Sequence, residues 1–130
     1  TVEQQTASVP VTPPEKPQTF LFFEDGSKRT LSVPSSLILG RKPAPQQTGD
    51  IALAVPDHTG TVSRNHARIE LVDDQIWITD LASTNGTRVL DESGEETELE
   101  PNVRTRMHVG SRIGLGDMGC SIITSKSRRR

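Results

Sequence analysis

The sequence predicts an all-β fold, either a sandwich of two sheets or a barrel. Short segments rich in apolar and β-branched residues recur at intervals of about 8–12 residues, with glycine, proline and aspartate turns between them. No segment combines the length and the periodicity of an amphipathic helix. Hydrophobic residues make up 32% and aromatic residues 3% of the 130-residue chain, so part of it is expected to lie outside a packed core.

The predicted strands follow one another with turn residues between them. The first, TFLFF, returns through an Asp25-Gly26 turn, which is a strong hairpin signal. The third, SLILG, ends at a glycine, and the last two are separated by a glycine-rich turn. In chain order the predicted strands are 19–23, 29–33, 36–40, 50–55, 67–72, 75–79, 88–90, 97–99, 106–109, 112–115 and 119–124.

The hairpin formed by 67–72 and 75–79 places two polar loops side by side. Ala67, Ile69 and Leu71 alternate with mostly polar residues, as in a half-buried strand. Asp73-Asp74 is the predicted turn, and QIWIT, rich in β-branched and aromatic residues, returns. Because the two strands are antiparallel, the loops 63–66 and 83–87 are expected at the same end of the hairpin.

Domain organisation is predicted from composition. Residues 1–18 contain four prolines and no aromatic residue, so they are expected to be a disordered proline-rich tail. The folded domain is expected at 19–125, and 126–130 forms a basic terminal segment. The chain starts without methionine, and we interpret it as part of a larger protein.

Several classes of function are disfavoured. The net charge of −2 argues against a nucleic-acid partner. Three histidines, at 58, 66 and 108, lack metal-ligand spacing, so no metal and no cofactor are predicted. A hydrolase using Ser63, His66 and Asp80 would need a nucleophile elbow that is missing. The G-x-G-x-x-G pattern at 114–119 lacks the following helix of a dinucleotide site, so we interpret it as a hairpin turn.

Composition also indicates the cellular location. No run of 18 apolar residues is present, so no transmembrane helix and no direct membrane insertion are expected, and no signal peptide is visible. The only cysteine, Cys120, cannot form an internal disulfide, and we expect it to be a buried apolar residue. A reducing, cytoplasmic location is therefore predicted, for a parent protein that could itself be membrane-tethered.

Three loops contain candidate anion-binding residues. Arg41 follows Gly40 at a strand end, and the arginine fork matches phosphate oxygens better than a lysine ammonium does. Ser63 and Arg64 offer a hydroxyl and a second positive charge. In the third loop Asn85-Gly86 is a turn signal, and the asparagine amide can pair with a peptide backbone.

Taken together, these motifs resemble those of a forkhead-associated (FHA) domain over about residues 19–124. The matching motifs are Leu39-Gly40-Arg41, Gly49-Asp50-Ile51, Ser63-Arg64-Asn65-His66-Ala67, and Asp80-Leu81 followed by Ser83-Thr84-Asn85-Gly86-Thr87. The stretch 42–49 departs from the family pattern in being longer than usual. The resemblance implies a sandwich of two antiparallel sheets, the SMAD/FHA-like fold, whose loops bind phosphothreonine peptides at one end.

The resemblance also implies roles for single residues. Arg41 would contact the phosphate or the nearby peptide, and Ser63, Arg64 and Thr84 would contact the phosphate. Asn85 would hold the peptide backbone. The loops that present them would be shaped by Gly40, His66 and Gly86.

The expected function is that of a non-catalytic, monomeric module that binds a threonine-phosphorylated protein in signalling. The alternative is a structural FHA domain whose protein contacts do not depend on phosphorylation. A further hypothesis is that Thr6 or Thr12 in the tail, once phosphorylated, competes for the same site.

Overall fold

The computed structural model describes residues 18–32, 34–72 and 75–125. The predictions for residues 1–17 of the tail, for the Asp73-Asp74 turn and for the segment 126–130 lie outside these residues, whereas Gln18, the last residue of the predicted tail, lies in a strand. The described chain forms eleven β-strands. In order they are β1 (Gln18–Phe23), β2 (Lys28–Leu31), β3 (Ser35–Gly40), β4 (Asp50–Ala54), β5 (Ala67–Val72), β6 (Gln75–Asp80), β7 (Thr87–Leu90), β8 (Glu96–Glu98), β9 (Thr105–Met107), β10 (Arg112–Leu115) and β11 (Met118–Ser125).

The strands form a sandwich of two sheets, which confirms the predicted fold class. One sheet has the order β9-β6-β5-β3-β4 and the other β2-β1-β11-β10-β7-β8. The predicted strand boundaries agree with the observed ones to within two residues. The 114–119 segment comprises the last two residues of β10, a two-residue turn and the first two residues of β11, as predicted for a hairpin.

The core lies between the sheets and is built by alternation along each strand. On β6, Ile76, Ile78 and Asp80 are buried while the intervening residues are half-buried. Leu21 and Ile122 of the six-stranded sheet are fully buried and belong to the same apolar cluster as Ile69 and Ile78. Burial of each such aliphatic side chain contributes about 1.5–3 kcal/mol.

One pairing, between β3 and β4, is parallel, whereas all other strand pairs are antiparallel. Ser36 pairs with Asp50 at the start of both strands and Gly40 with Ala54 at the end. The chain leaving Gly40 must therefore travel back along the sheet before β4 begins. This return explains the length of the 41–49 loop.

A buried ion pair fixes the end of this return loop. Asp50 accepts hydrogen bonds from Arg68 Nη1 at 2.6 Å and from the N–H groups of Gln46 and Gln47 at 2.9 and 2.8 Å. Arg68 also donates to Ser36 Oγ at 2.7 Å. Burial opposes ionisation of Asp50, but these donors outweigh it and lower the pKa of the carboxyl to about 2.

Cys120 is only 3% exposed on the inner face of β11, as predicted for an apolar residue. Burial raises the pKa of its thiol to about 12, so the thiol is protonated and unreactive at neutral pH. Within the described part of the chain, no helix is long and apolar enough to cross a membrane.

Candidate binding site

The loops that carry the candidate residues meet at one end of the sandwich. Ala67 at the start of β5 pairs with Asp80 at the end of β6, so the loops before β5 and after β6 adjoin. The His66 N–H donates to Leu39 O at 2.7 Å, and the Leu81 N–H donates to His66 O at 2.9 Å. The end of β3 and both loops are thereby joined by backbone hydrogen bonds.

Gly40 lies directly beneath the Ser63–Arg64 backbone. A Cβ atom on Gly40 would lie 1.7 Å from Arg64 O, a distance that no side chain can accept. The Arg41 N–H donates to Ser63 O at 2.9 Å, and Arg41 Nε donates to Val62 O at 3.3 Å. Arg41 is exposed but is thus tied to the loop that carries Ser63.

His66 is fully buried and connects two loops through its ring nitrogens. Nδ1 accepts a hydrogen bond from the Ser63 N–H at 2.9 Å, so the proton is on Nε2, which donates to Gly86 O at 2.8 Å. Burial lowers the pKa of His66, although the bond to Gly86 O and the Asp80 and Asp57 carboxylates favour the protonated ring. The neutral imidazole fits this site because a proton on Nδ1 would face the Ser63 N–H.

The loop after β6 is organised by the buried carboxylate of Asp80. Its Oδ1 accepts hydrogen bonds from Ser83 Oγ at 2.5 Å and from Thr87 Oγ1 at 2.6 Å. Ser83 Oγ in turn accepts the Gly86 N–H at 2.9 Å. Gly86 has φ of 85°, a left-handed conformation that favours glycine. These contacts hold Thr84 and Asn85 at the exposed tip.

Ser63, Thr84 and Asn85 come together across the two loops. The Thr84 N–H donates to Ser63 Oγ at 3.0 Å, which leaves the Ser63 hydroxyl proton available to an acceptor. Asn85 Nδ2 donates to Thr61 O at 2.9 Å. Thr84, Asn85 and Arg64 are exposed, and Ser63 is half-buried.

Some residues of this end were missed by the sequence interpretation. Asn65 Oδ1 accepts the Ala44 N–H at 2.9 Å and so ties the return loop to the site. The β10–β11 turn also joins, since the Asp117 N–H donates to Thr61 Oγ1 at 2.8 Å and the Gly116 N–H to Gly86 O at 3.1 Å. The sequence offered one signal of such contacts. Asp80 follows Ile76 and Ile78 in the strand alternation, which predicts an inward-facing carboxylate that needs hydrogen-bond donors.

The site is suited to an anion with several acceptor oxygens. The guanidinium groups of Arg41 and Arg64 and the hydroxyls of Ser63 and Thr84 are all carried by loops held in fixed positions. Hydrogen bonds to charged groups are worth about 1.5–3 kcal/mol net. The geometry does not suit a Ser63–His66–Asp80 hydrolase, because Nδ1 of His66 contacts the backbone N–H of Ser63 and Nε2 contacts Gly86 O. Among the described residues, no group of three or more histidine, cysteine, aspartate or glutamate residues could hold a metal ion.

The chain belongs to the FHA domain family, whose model matches residues 37–116. FHA domains are phosphopeptide-binding modules. The matched range begins within β3 and ends at Gly116 in the β10–β11 turn, so it includes the three loops that carry Arg41, Ser63, Arg64, Thr84 and Asn85.

Curated relatives match over short segments of much longer proteins. The chain is 42% identical over 55 residues to zeaxanthin epoxidase, chloroplastic, of Solanum lycopersicum, which is 42% of this chain and 8% of the relative. It is 32% identical over 82 residues to the same enzyme of Oryza sativa subsp. japonica, or 62% of this chain and 12% of the relative. The chain therefore spans about a tenth of the length of these relatives.

Solved FHA domains superpose on most of the chain. The FHA domain of the CT664 protein of Chlamydia trachomatis has a TM-score of 0.63 at 24% identity, covering 82% of this chain and 96% of that chain. The FHA domain of human APLF, in complex with an XRCC1 bisphospho peptide, has a TM-score of 0.60 at 24% identity. The match covers 82% of this chain and 97% of that chain. An FHA structure from a study of phosphothreonine-dependent interactions has a TM-score of 0.57 at 28% identity. The match covers 82% of this chain and 95% of that chain.

Proposed function

We propose that this domain binds phosphothreonine peptides and thereby docks its parent protein to phosphorylated partners in signalling. The observation that carries the proposal is the hydrogen bond from the Thr84 N–H to Ser63 Oγ at the exposed end of the sandwich. It brings Ser63 and Thr84, each of which carries a hydroxyl, into contact, and the Arg41 N–H, bonded to Ser63 O, brings a guanidinium-bearing residue to the same loop.

A phosphate monoester matches this set of donors. It carries about −1.5 to −2 charges at pH 7 and offers three strong acceptor oxygens. We assign Arg41, Ser63, Arg64 and Thr84 to the phosphate and the free side-chain oxygen of Asn85 to the peptide backbone. Gly40, His66 and Gly86 act as loop supports.

The preference for phosphothreonine over phosphoserine is supported by family membership and by the neighbour studied for phosphothreonine-dependent interactions. A reducing, cytoplasmic setting is proposed because the one cysteine of the chain, Cys120, cannot form an internal disulfide. The domain is proposed to act as a monomer within a larger protein.

For the test, the best-binding peptide is first selected from an oriented phosphothreonine peptide library. Its affinity is then measured by titration calorimetry in the phosphothreonine, phosphoserine and unphosphorylated forms. Only the phosphorylated forms should bind, and phosphothreonine should bind more tightly. Arg41→Ala and Ser63→Ala should each weaken binding roughly ten- to a hundredfold, because about 1.4 kcal/mol corresponds to a tenfold change in affinity.

The matched controls are Arg106→Ala, an exposed arginine on β9, and Ser93→Ala, a turn serine after β7. Both should leave the affinity unchanged, and circular dichroism should show that all four variants are folded. Equal binding of the phosphorylated and unphosphorylated peptides would instead favour the alternative, an FHA domain with phosphorylation-independent contacts.

A further inference from the structure

The segment 57–62, which leads into the Ser63 loop, is ordered by the side chain of Asp57. Oδ1 accepts the Thr59 N–H at 2.9 Å, the Thr59 hydroxyl at 2.7 Å and the Gly60 N–H at 3.0 Å. Oδ2 accepts the Val62 N–H at 3.2 Å. Burial opposes ionisation of this carboxyl, but the four donors outweigh it and lower the pKa of Asp57 to about 2. Asp57 is therefore a carboxylate at neutral pH, with both oxygens engaged.

The bond between Val62 and Asp57 fixes a peptide group that also holds Asn85. The Val62 N–H and Thr61 O belong to the same peptide group, which is planar. Because the N–H is bonded to Asp57 Oδ2, the direction of Thr61 O is set, and this oxygen accepts Asn85 Nδ2 at 2.9 Å. The next carbonyl, Val62 O, accepts Arg41 Nε at 3.3 Å. Two of the residues assigned to the phosphopeptide are thus held by backbone oxygens that Asp57 positions.

A chain of hydroxyl groups extends the order to the β10–β11 turn. The Thr59 hydroxyl gives its only proton to Asp57, so in the 2.6 Å contact between the Thr59 and Thr61 hydroxyls the donor is Thr61. Thr61 Oγ1 in turn accepts the Asp117 N–H at 2.8 Å. The side chain of Thr61 is therefore held in place together with its carbonyl group.

Two other aspartates form the same local turn without the link to a site loop. Asp25 and Asp91 each accept, through Oδ1, the backbone N–H and the hydroxyl of the serine two positions further on. Among the hydrogen bonds of the described residues, the Oδ2 atoms of these two aspartates are not used. The turn alone thus needs one oxygen, and the bond from the second oxygen of Asp57 to Val62 is an addition.

We propose that Asp57 is a positioning residue for peptide binding, because it fixes the Thr61–Val62 peptide group that orients the Asn85 amide. With Nδ2 donating to Thr61 O, the free oxygen of the amide is directed to the bound peptide. The inference rests on the proposed function and adds to it a residue that does not itself contact the ligand. Charge gives no other reason for the residue, since a carboxylate close to a phosphate site repels the phosphate.

The test compares Asp57→Asn with Asp91→Asn by titration calorimetry, using the best peptide from the phosphothreonine library. Asparagine keeps one oxygen for the turn but has no second acceptor for the Val62 N–H. Asp57→Asn should weaken binding roughly three- to tenfold, the effect of about one hydrogen bond. Asp91→Asn removes the same charge from the same type of turn, between β7 and β8, and should leave the affinity unchanged. Loss of a negative charge alone would strengthen phosphate binding, so the expected weakening has the opposite sign.

A double-mutant cycle asks whether Asp57 acts through Asn85. In the Asn85→Ala background, Asp57→Asn should weaken binding by less than about twofold, because the amide that it orients is gone. Asp57→Ser is a second variant with the same expectation, since its hydroxyl lacks the second acceptor oxygen. Circular dichroism should show that all variants are folded.

Nuclear magnetic resonance without peptide supplies a readout that does not depend on binding. The side-chain amide resonances of Asn85 should shift in Asp57→Asn and stay unchanged in Asp91→Asn. An unshifted Asn85 amide, an affinity equal to or above that of the wild type in Asp57→Asn and Asp57→Ser, or an equal loss with and without Asn85 would each overturn the positioning role. The proposed function would stand in those cases. If the wild type bound no phosphopeptide, the proposed function would be wrong, and the Asn85 resonances alone would decide whether Asp57 orients this amide.

Discussion

Gly40 is the residue at which the site depends most directly on the absence of a side chain. Gly40→Ala would force its methyl group against Arg64 O and Ser63 O, which a Cβ would approach to 1.7 and 2.9 Å. Because both contacts are with backbone, the Ser63–Arg64 loop has to move. We expect a loss of about 3 kcal/mol in the free energy of unfolding, at the upper end of the usual cost of overpacking, and loss of phosphopeptide binding.

Urea denaturation measures the stability change, and Gly114→Ala provides the control. Gly114 also lies in a strand, but a Cβ there would meet only the guanidinium group of Arg88, which is flexible. Gly114→Ala should therefore change stability by less than about 1 kcal/mol, since alanine also restricts the unfolded chain. Equal effects of the two substitutions would contradict the role assigned to Gly40.

At the scale of the strand elements, the return loop between β3 and β4 depends on the Arg68–Asp50 pair. The Asp50 side chain is 1% exposed and that of Arg68 10% exposed. Arg68→Ala leaves a buried carboxylate without its cation, which typically costs about 3–5 kcal/mol. Because Asp50 keeps the N–H groups of Gln46 and Gln47, we expect a loss near 3 kcal/mol by urea denaturation.

Arg104→Ala is the matched control for Arg68→Ala. Arg104 also belongs to the five-stranded-sheet side, where it pairs with Glu70 and stacks on Trp77. Its side chain is 49% exposed, so removing it should cost about 1 kcal/mol. Asp50→Asn combined with Arg68→Ala should recover part of the loss. If the two arginine variants were equally stable, the buried pair would not be what anchors the loop.

Each strand was predictable because it carries its own local sequence pattern. The parallel pairing of β3 with β4 was not predictable. Apolar alternation and turn residues place a strand along the chain but do not say whether its neighbour runs parallel. Arg68 also has the sequence context of a solvent-facing residue between Ala67 and Ile69. It is buried because it pairs with Asp50 of β4 and donates to Ser36 of β3, contacts that arise only in the tertiary structure.

The candidate site was predictable to the level of its loops. Antiparallel pairing of β5 and β6 was enough to bring Ser63, Thr84 and Asn85 together. The contacts that fix these residues were not predictable, because they join positions far apart in sequence. The Asn65 side chain reaches Ala44, and the Asp117 backbone reaches Thr61, a separation of 56 residues.

At the scale of the whole molecule, His66 links the stability of the sandwich to pH. The ordinary pKa of histidine is about 6.5, and burial lowers the pKa of His66 in the folded domain. The folded state therefore binds fewer protons than the unfolded chain below pH 6.5. The stability contributed by the neutral ring is fully present above that pH and is lost as the pH falls through the folded-state pKa.

We therefore expect the free energy of unfolding to decrease as the pH falls below about 6.5, with a slope of at most about 1.4 kcal/mol per pH unit for one proton. Urea denaturation without peptide is the appropriate measurement, since the phosphate of a ligand itself titrates near pH 6. His58→Gln and His108→Gln, at exposed positions, should retain the slope. His66→Gln should flatten it even if the variant is less stable, because the titrating group is gone. A slope that persists in His66→Gln would assign the pH dependence to another group and leave the neutral His66 bridge without an effect on stability in this range.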